Sequence, residues 1–347
     1  MDSQSKSKQA ALLRLKKSQI SVPVIWEKIL KKDKVALGQA ISIIESQSPA
    51  HMEAADELIQ VALKHSNSDC MKIGVTGVPG VGKSTFINAY TKLLVQKKLS
   101  VAILAVDPSS QQSGGSILGD KTRMTEIFAH PDVLIRPSPS GKQLGGVANK
   151  TREVILLCEA AGYDRILVET VGVGQSETAV HEMTDIFLLL MLPGAGDELQ
   201  GIKRGIMELA DILIVHKADG ENEKKAKIAA TDYKRALHLF PPTESSWIPG
   251  VLTASSEPPV GIDAIHDKIE SYFLHTKSSG FLITKRQRQW HQWFEECLEN
   301  QLFHFIRANA TIASLYQNLQ SEVQQQSISP YLAARKIVES FYLNGKR

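Results

Sequence analysis

Nine residues with the sequence GVPGVGKST, beginning at Gly77, constrain the fold more than any other part of the chain. They follow the apolar run MKIGVT, open the helical pattern STFINAYTKLLVQ and fit the motif G-x-x-x-x-G-K-[ST] in full. In such a loop, glycines let backbone N–H groups turn inward around phosphates, and the helix N-terminus adds a favourable partial charge. We expect Lys83 to reach the β- and γ-phosphates and the Ser84 hydroxyl to bind Mg²⁺. The motif predicts a nucleoside triphosphate without specifying its base.

Strand-like and helix-like segments alternate on both sides of this loop. The apolar, strand-like runs are 71–76, 101–106, 165–170, 186–192, 212–216 and 247–253. Because such alternation requires crossover connections, it predicts an α/β fold with a mostly parallel sheet and helices on both faces. Helical patterns also precede the sheet, where Ser48 and a first-turn Pro49 start one helix, and follow it from Lys285 onward. We predict an N-terminal helical extension (1–68), a P-loop domain (69–280) and a C-terminal helical arm (281–347).

Composition argues against several classes of protein. The chain has 347 residues, 43% of them hydrophobic, and its net charge of +3 is spread out, so neither nucleic acid nor a membrane is indicated as a partner. No apolar run approaches the roughly 20 residues of a membrane span. The 3 cysteines are far apart and form neither metal-type spacing nor a disulfide framework. We therefore expect a cytoplasmic protein with reduced thiols.

Two carboxylates are suitably placed to hold a magnesium ion beside the phosphates. Asp107 follows the run VAILAV and Glu169 lies in the run RILVET, and ligands bind beyond the C-terminal ends of parallel strands. The stretch ETVGVGQSE resembles the Asp-x-x-Gly switch of GTPases, with Glu169 in the aspartate's place and the Gly172 N–H expected at the γ-phosphate. A carboxylate at a strand end is often a helix cap, but two in register with a phosphate loop favour a metal.

The stretch ILIVHKADG resembles the Asn-Lys-x-Asp element with which GTPases read guanine, except that His216 replaces the asparagine. We expect Asp219 to accept hydrogen bonds from guanine N1–H and the 2-amino group, and Lys217 to lay its alkyl stem along the base. The usual asparagine bonds both guanine N7 and the phosphate-loop backbone. A neutral histidine has a single ring N–H and can replace one of those bonds, so we expect His216 to cost a few-fold in affinity at most.

Several longer blocks carry a specific family resemblance. GVTGVPGVGKSTF, GGSILGDKTRM, ILVETVGVGQSE and PGAGDELQGIKRGI, within about residues 70–222, resemble the MeaB/ArgK family of P-loop GTPases. Members of that family are chaperones of adenosylcobalamin-dependent methylmalonyl-CoA mutase. The resemblance implies a SIMIBI-class G domain with an N-terminal helical extension and a C-terminal helical dimerisation arm. It also implies slow GTP hydrolysis, stimulated by the mutase, that gates cofactor delivery and protects the mutase.

The resemblance assigns roles to particular residues of this chain. Ser84, Asp107, Asp120 and Glu169 would surround Mg²⁺ and the attacking water, and Lys203 would contribute to hydrolysis in the partner-bound state. The phosphates would be held by Gly77, Val78, Pro79, Gly80, Val81, Gly82, Lys83, Ser84 and Thr85. The base would be closed over by Ala254, Ser255 and Ser256. GTP and GDP are the implied ligands, with no cobalamin bound by this chain itself.

Two departures from the family pattern fall in the base pocket. The family usually has asparagine where His216 stands, and a Ser-Ala pair where Ser255-Ser256 stand. Two other interpretations therefore stay open: an ATP-dependent kinase or transport-linked ATPase, and a metal-insertion GTPase of the same class. Asp219 would serve no purpose with adenine, and Cys70 has no cysteine partner near the phosphate loop.

The C-terminal helical pattern carries an apolar stripe at three- and four-residue intervals. Its members are Trp290, Trp293, Phe294, Leu298, Leu302 and Phe305. The pattern alone fits two arrangements equally, packing on the main domain or forming a dimer surface. The family resemblance favours a homodimer.

Overall fold

The computed structural model describes residues 21–46, 48–106, 127, 129–137, 144–170, 176–194 and 204–344. Four predicted site residues, Asp107, Asp120, Gly172 and Lys203, lie outside the described residues. The chain divides into two compact units, the first ending at Arg286 and the second beginning at Gln287. The three-part division predicted from the sequence stays a prediction.

Three helices precede the first strand. They are α1 (Val22–Leu30), α2 (Lys34–Glu45) and α3 (Pro49–Leu63). The Asp33 carboxylate caps α2 by accepting hydrogen bonds from the backbone N–H groups of Val35 and Ala36, at 2.8 and 3.1 Å. Proline begins α3 as predicted, although the Ser48 side chain before it makes no capping bond. The turn between α1 and α2 was not predicted from the sequence.

Seven strands form one parallel sheet in the order β3-β2-β4-β1-β5-β6-β7. The strands are β1 (Met71–Gly77), β2 (Val101–Val106), β3 (Val133–Arg136), β4 (Arg165–Thr170), β5 (Ile186–Met191), β6 (Ile212–Val215) and β7 (Gly250–Thr253). Strands β5 and β6 are wholly apolar and buried because both faces of the sheet are covered. The mostly parallel sheet predicted from the alternating pattern is confirmed.

Helices cover both faces of this sheet. They are α4 (Lys83–Gln96), α5 (Leu144–Ala160), α6 (Ser176–His181), α7 (Arg204–Leu209), α8 (Asn222–Leu237) and α9 (Ile262–Ser278). Alternate residues of β4 enter different cores: Ile166 and Val168 join the core that includes the N-terminal helices, whereas Leu167 joins the core under α4 and α9. The two faces of the pleated sheet are therefore buried by separate sets of helices.

The sequence-based strand predictions are wrong at two places. The short edge strand β3 was missed, and the run 247–253 forms a strand only from Gly250 onward. Trp247 instead lies in a turn, where its carbonyl accepts a hydrogen bond from the Thr243 hydroxyl at 2.6 Å and its ring N–H donates to Asp211 O at 3.1 Å. A small antiparallel hairpin, β8 (Ser255–Ser256) and β9 (Pro259–Val260), was also not predicted.

The C-terminal helices are α10 (Phe281–Ala308), α11 (Ala310–Gln324) and α12 (Pro330–Asn344), and α11 packs against α12. The first turns of α10 are fixed by a buried carboxylate at the start of β5. Arg286 donates two hydrogen bonds of 2.8 Å to the fully buried Asp185 carboxylate, and Lys285 donates to the Asp185 carbonyl at 2.8 Å. Within the described ranges, no helix combines the length and apolarity needed to cross a bilayer.

Candidate functional site

Those predicted site residues that the structure describes gather at the C-terminal edge of the sheet, around β1. In the sheet, β4 and β2 lie on one side of β1, whereas β5 and β6 lie on the other. Such a reversal of strand order creates a crevice in which ligands of open α/β sheets bind. The phosphate loop follows β1, Glu169 lies near the end of the adjacent β4, and His216 directly follows β6.

The phosphate loop folds as its motif predicts. It joins the end of β1 to the first residue of α4, which is Lys83. Gly80 and Gly82 have φ angles of 74° and 93°, in the left-handed region where a side chain is strained. The Lys83 ammonium donates a hydrogen bond of 2.9 Å to the Gly77 carbonyl, which turns the side chain back over the loop. This position suits a cation that contacts phosphate oxygens held by the loop.

The second feature is a pair of oxygen ligands suited to a magnesium ion. The Ser84 hydroxyl donates a hydrogen bond of 3.0 Å to Glu169 Oε1. The sheet register brings the two together, since Glu169 of β4 pairs with Val75 of β1 just before the phosphate loop. Hydroxyl and carboxylate oxygens are the ligands that Mg²⁺ prefers, so these two residues fit the ion. Among the described residues, no group of three or more His, Cys, Asp or Glu forms a metal cluster.

A buried threonine pair joins the same two strands and was missed in the sequence. The Thr170 hydroxyl donates to the Thr76 hydroxyl at 2.9 Å, and both side chains are buried. The bond links the C-terminal ends of β1 and β4, directly beneath the phosphate loop and beside Glu169. Two threonines ending otherwise apolar strands were the available signal. The pair positions the strands and offers no free acid or base.

His216 connects the base-reading segment to the phosphate loop. Its Nδ1 lies 2.7 Å from the Val81 carbonyl oxygen, which can only accept, so Nδ1 carries the proton and donates. Burial lowers the pKa of His216, which favours the neutral ring. In that form Nε2 accepts, and the Ser256 hydroxyl, 2.7 Å away, donates to it. The single ring N–H of neutral His216 is therefore donated to the backbone of the phosphate loop.

Lys217 makes a second link to the same loop. Its ammonium donates a hydrogen bond of 2.7 Å to the Gly80 carbonyl, so the alkyl stem spans from the end of β6 to the phosphate loop. The backbone N–H of Ala218 donates to the Ala254 carbonyl at 3.0 Å, which ties this segment to the loop before β8. Asp219 is half-buried beside it. The structure thus brings together the segments predicted to read the base.

A cavity of about 560 Å³ opens between α4 and the β8–β9 hairpin. Thr85, the last residue of the phosphate motif, and Ser256 both line it, together with Asn88, Lys92, Pro259 and Asp263. Its volume lies within the range of small-molecule sites. Pocket residues on the second and third turns of α4 were not predicted, because no motif marks them.

Comparison with known proteins identifies the family. The profile of the family described as "Methylmalonyl Co-A mutase-associated GTPase MeaB" matches residues 37–311. A probable GTPase of Mycobacterium bovis is 44% identical over 307 residues, which cover 88% of this chain and 91% of that protein. GTPase ArgK of Escherichia coli is 41% identical, with 88% and 92% covered.

More distant relatives extend the same match. The mouse protein named "Methylmalonic aciduria type A homolog, mitochondrial" is 38% identical over 334 residues, covering 94% of this chain and 80% of that protein. The crystal structure of a LAO/AO transport system kinase is 34% identical, covers 94% of this chain and all of that chain, and superimposes with a TM-score of 0.73. With its phosphate loop, parallel sheet and these relatives, the chain belongs to the MeaB family of P-loop GTPases.

Proposed function

We propose that this GTPase acts as a chaperone of an adenosylcobalamin-dependent acyl-CoA mutase, gating delivery of its cofactor and protecting it. Methylmalonyl-CoA mutase is the proposed partner, because the matching family is described as associated with that enzyme. The mouse relative's name refers to methylmalonic aciduria, which points to the same metabolism. GTP and GDP are the proposed ligands, and hydrolysis is slow until the partner binds.

The observation that carries a nucleotide-dependent role is the direct bonding of the base-reading segment to the phosphate loop. His216 donates to Val81 O and Lys217 donates to Gly80 O, so base and phosphate sites share one hydrogen-bonded frame. Asp219 then selects guanine, because a carboxylate accepts from N1–H and the 2-amino group. Loss of the γ-phosphate can therefore displace both the phosphate loop and the base-reading segment. A bound partner would respond to that displacement.

Hydrolysis requires charge stabilisation around the phosphates. In our proposal Lys83 contacts the β- and γ-phosphates, while Ser84 and Glu169 hold Mg²⁺ together with Asp107 and Asp120. The ion, when bound, neutralises developing charge on the phosphate oxygens. Gly172 would donate its N–H to the γ-phosphate. The 3.0 Å bond between Ser84 and Glu169 supports the metal assignment, since it brings the two proposed ligand oxygens side by side.

We also propose that α10 forms a homodimer arm. Its apolar stripe is exposed: Trp290 is 46% accessible and Phe294 61%, followed along the helix by Leu298, Leu302 and Phe305 at 43–55%. Exposed apolar residues in a continuous row are typical of interfaces rather than of solvated helices. A second copy of this chain is the proposed occupant, and sedimentation of the wild type and of a Phe294→Glu variant tests it.

The partner proposal is tested by binding of the full chain to purified adenosylcobalamin-dependent mutases, with GDP and with a non-hydrolysable GTP analogue. We expect a stable complex with methylmalonyl-CoA mutase whose affinity differs between the two nucleotides, and stimulation of GTP hydrolysis by the mutase. A mutase of a different cofactor class serves as the control. Lack of binding in both nucleotide states, with active protein, would contradict the proposal.

A second candidate function follows from the solved relative, which is described as a transport system kinase. A kinase needs an acceptor for the phosphoryl group, and the 560 Å³ cavity beside Thr85 is large enough for a small molecule. Transfer of labelled phosphate from ATP to a small-molecule acceptor, measured against its release to water, distinguishes a kinase from a GTPase. Cys70 does not favour a metal-insertion role, because its side chain is fully buried and therefore not accessible to a metal ion from solvent.

A further inference from the structure

One imidazole ring bridges two loops that are far apart in the sequence. His216 is 2% exposed, and its two nitrogens contact Val81 O of the phosphate loop and the Ser256 hydroxyl of β8, each at 2.7 Å. Ser256 is itself only 7% exposed and lines the cavity beside the phosphate loop. The ring therefore connects the phosphate loop to the wall of that cavity, with no vacant nitrogen left to contact a base.

The ring is also held in place by its packing. A Cβ atom added at Gly82 would lie 3.0 Å from His216 Cε1 and 3.1 Å from Nδ1, so the ring rests directly on the phosphate-loop backbone. The Phe86 ring lies nearly perpendicular to the imidazole, with an interplanar angle of 83° and centroids 6.1 Å apart. With both nitrogens bonded and two sides packed, the ring can transmit a displacement from one loop to the other.

The contact with Val81 O and the contact with the Ser256 hydroxyl require side chains of different lengths at position 216. An asparagine amide stands about as far from the backbone as Nδ1 of histidine, and a glutamine amide about as far as Nε2. Asparagine at 216 could therefore keep the bond to Val81 O but could not reach Ser256. Without its acceptor, the Ser256 hydroxyl would be a buried, unsatisfied donor, and such groups are costly. With alanine at 256, no hydroxyl would be left without its acceptor, and asparagine would keep the bond to Val81 O.

We propose that His216 and Ser256 act as one coupled unit that positions the base-closing hairpin relative to the phosphate loop, with Ser256 a positioning residue for guanine recognition. This inference rests on the proposed reading of guanine by Lys217 and Asp219. His216→Asn alone leaves the Ser256 hydroxyl without its acceptor, and Ser256→Ala alone leaves the ring Nε2 without its donor, whereas the two changes together remove both of these groups. The two residues are therefore exchangeable only as a pair.

The test is a double-mutant cycle on the full chain, with fluorescently labelled GDP as the probe. The variants are His216→Asn, Ser256→Ala and both together. His216→Gln, alone and with Ser256→Ala, is the matched contrast, because glutamine keeps the Ser256 contact and loses the Val81 contact. Ser271→Ala is the control, since that hydroxyl is exposed and donates to Asp267 O of its own helix. The readouts are the GDP dissociation rate, the GDP-to-ADP affinity ratio and the melting temperature without nucleotide.

We expect each of the two single variants to release GDP about tenfold faster and to lower the GDP-to-ADP affinity ratio. For His216→Asn this reverses the sequence-based expectation that histidine costs affinity relative to asparagine, because that expectation did not include the contact with Ser256. His216→Asn/Ser256→Ala should release GDP more slowly than either single variant, whereas Ser256→Ala should not relieve His216→Gln. A merely structural role would lower the melting temperature and leave the nucleotide ratio unchanged. A double variant no better than the worse single variant would overturn the coupling alone. Equal affinity of the wild type for GDP and ADP would overturn guanine reading as well.

Discussion

The Ser84 hydroxyl donates a 3.0 Å hydrogen bond to Glu169 Oε1, which joins the first turn of α4 to the end of β4. The two residues are 85 positions apart in sequence and meet because β4 pairs with β1, the strand that leads into the phosphate loop. A hydroxyl and a carboxylate oxygen thus lie within hydrogen-bond distance of each other beside the predicted phosphate site. This arrangement makes the magnesium assignment testable at a single carboxylate.

Glu169→Gln should weaken magnesium binding while preserving the local geometry, because the amide oxygen can still accept from Ser84. Removal of the charge should raise the Mg²⁺ concentration needed for tight GTP-analogue binding by about tenfold or more. Titrations of Mg²⁺ at fixed nucleotide measure this, with Glu223→Gln as the control, an exposed carboxylate paired with Lys227 on α8. An unchanged magnesium requirement would remove Glu169 from the metal site.

Gly82→Ala should impair nucleotide binding more than Gly80→Ala. Both glycines have φ angles in the left-handed region, so alanine is strained at each. A Cβ at Gly80 meets nothing within 4 Å, whereas a Cβ at Gly82 lies 3.0 Å from the His216 ring. The ring cannot yield freely, because both its nitrogens are bonded. Equal GDP affinities of the two variants would show that the ring moves aside at no cost.

The stability of the protein should fall as the pH drops below about 6.5. Burial lowers the pKa of His181 to about 4, with the charge of Lys285 acting in the same direction. The unfolded chain therefore binds more protons than the folded one, so stability is fully present above the unfolded pKa of about 6.5 and declines toward pH 4. The loss attributable to His181 is on the order of 3 kcal/mol. Urea unfolding across this range should show a shallower decline for His181→Gln, and parallel curves would refute the assignment.

The apolar runs predicted the sheet because long, buried parallel strands have a distinct composition. The edge strand β3 escaped prediction, since its apolar run stops at Arg136, whose guanidinium pairs with Glu45 of α2. The run 247–253 was predicted too long because Trp247 is apolar yet bonded in a turn. The local sequence pattern therefore identified the buried strands, but it failed where tertiary contacts determine the ends of a strand.

At the candidate site, too, features set by local sequence were predicted and features set by tertiary contacts were not. The phosphate loop was predicted residue by residue, because its motif fixes backbone geometry within nine positions. The contact between His216 and Ser256 was not predicted, since it joins residues 40 positions apart. A signal existed, because both residues depart from the family pattern in the same pocket. Two unusual residues in one pocket are a reason to expect that they touch.

Lys203→Ala should separate basal from partner-stimulated hydrolysis. The family resemblance places Lys203 in a loop that contributes to catalysis in the partner-bound state, although it lies outside the described residues. Slow hydrolysis by the variant alone should stay near the wild-type rate, while stimulation by the mutase should be largely lost. Single-turnover GTP hydrolysis with and without mutase measures both. If both activities fell by the same factor, Lys203 would belong to the basal site.

The segment His216–Asp219 should still select guanine through Asp219, although its first residue is histidine instead of asparagine. The most direct measurement is titration of the wild type and Asp219→Asn with non-hydrolysable analogues of GTP, ATP and xanthosine triphosphate. The wild type should bind the GTP analogue at least about tenfold more tightly than the ATP analogue, because two charge-assisted bonds are available only to guanine. Asp219→Asn should lose GTP affinity and favour xanthosine triphosphate, whose 2-oxo group accepts from the new amide. Equal wild-type affinity for the GTP and ATP analogues would contradict the account.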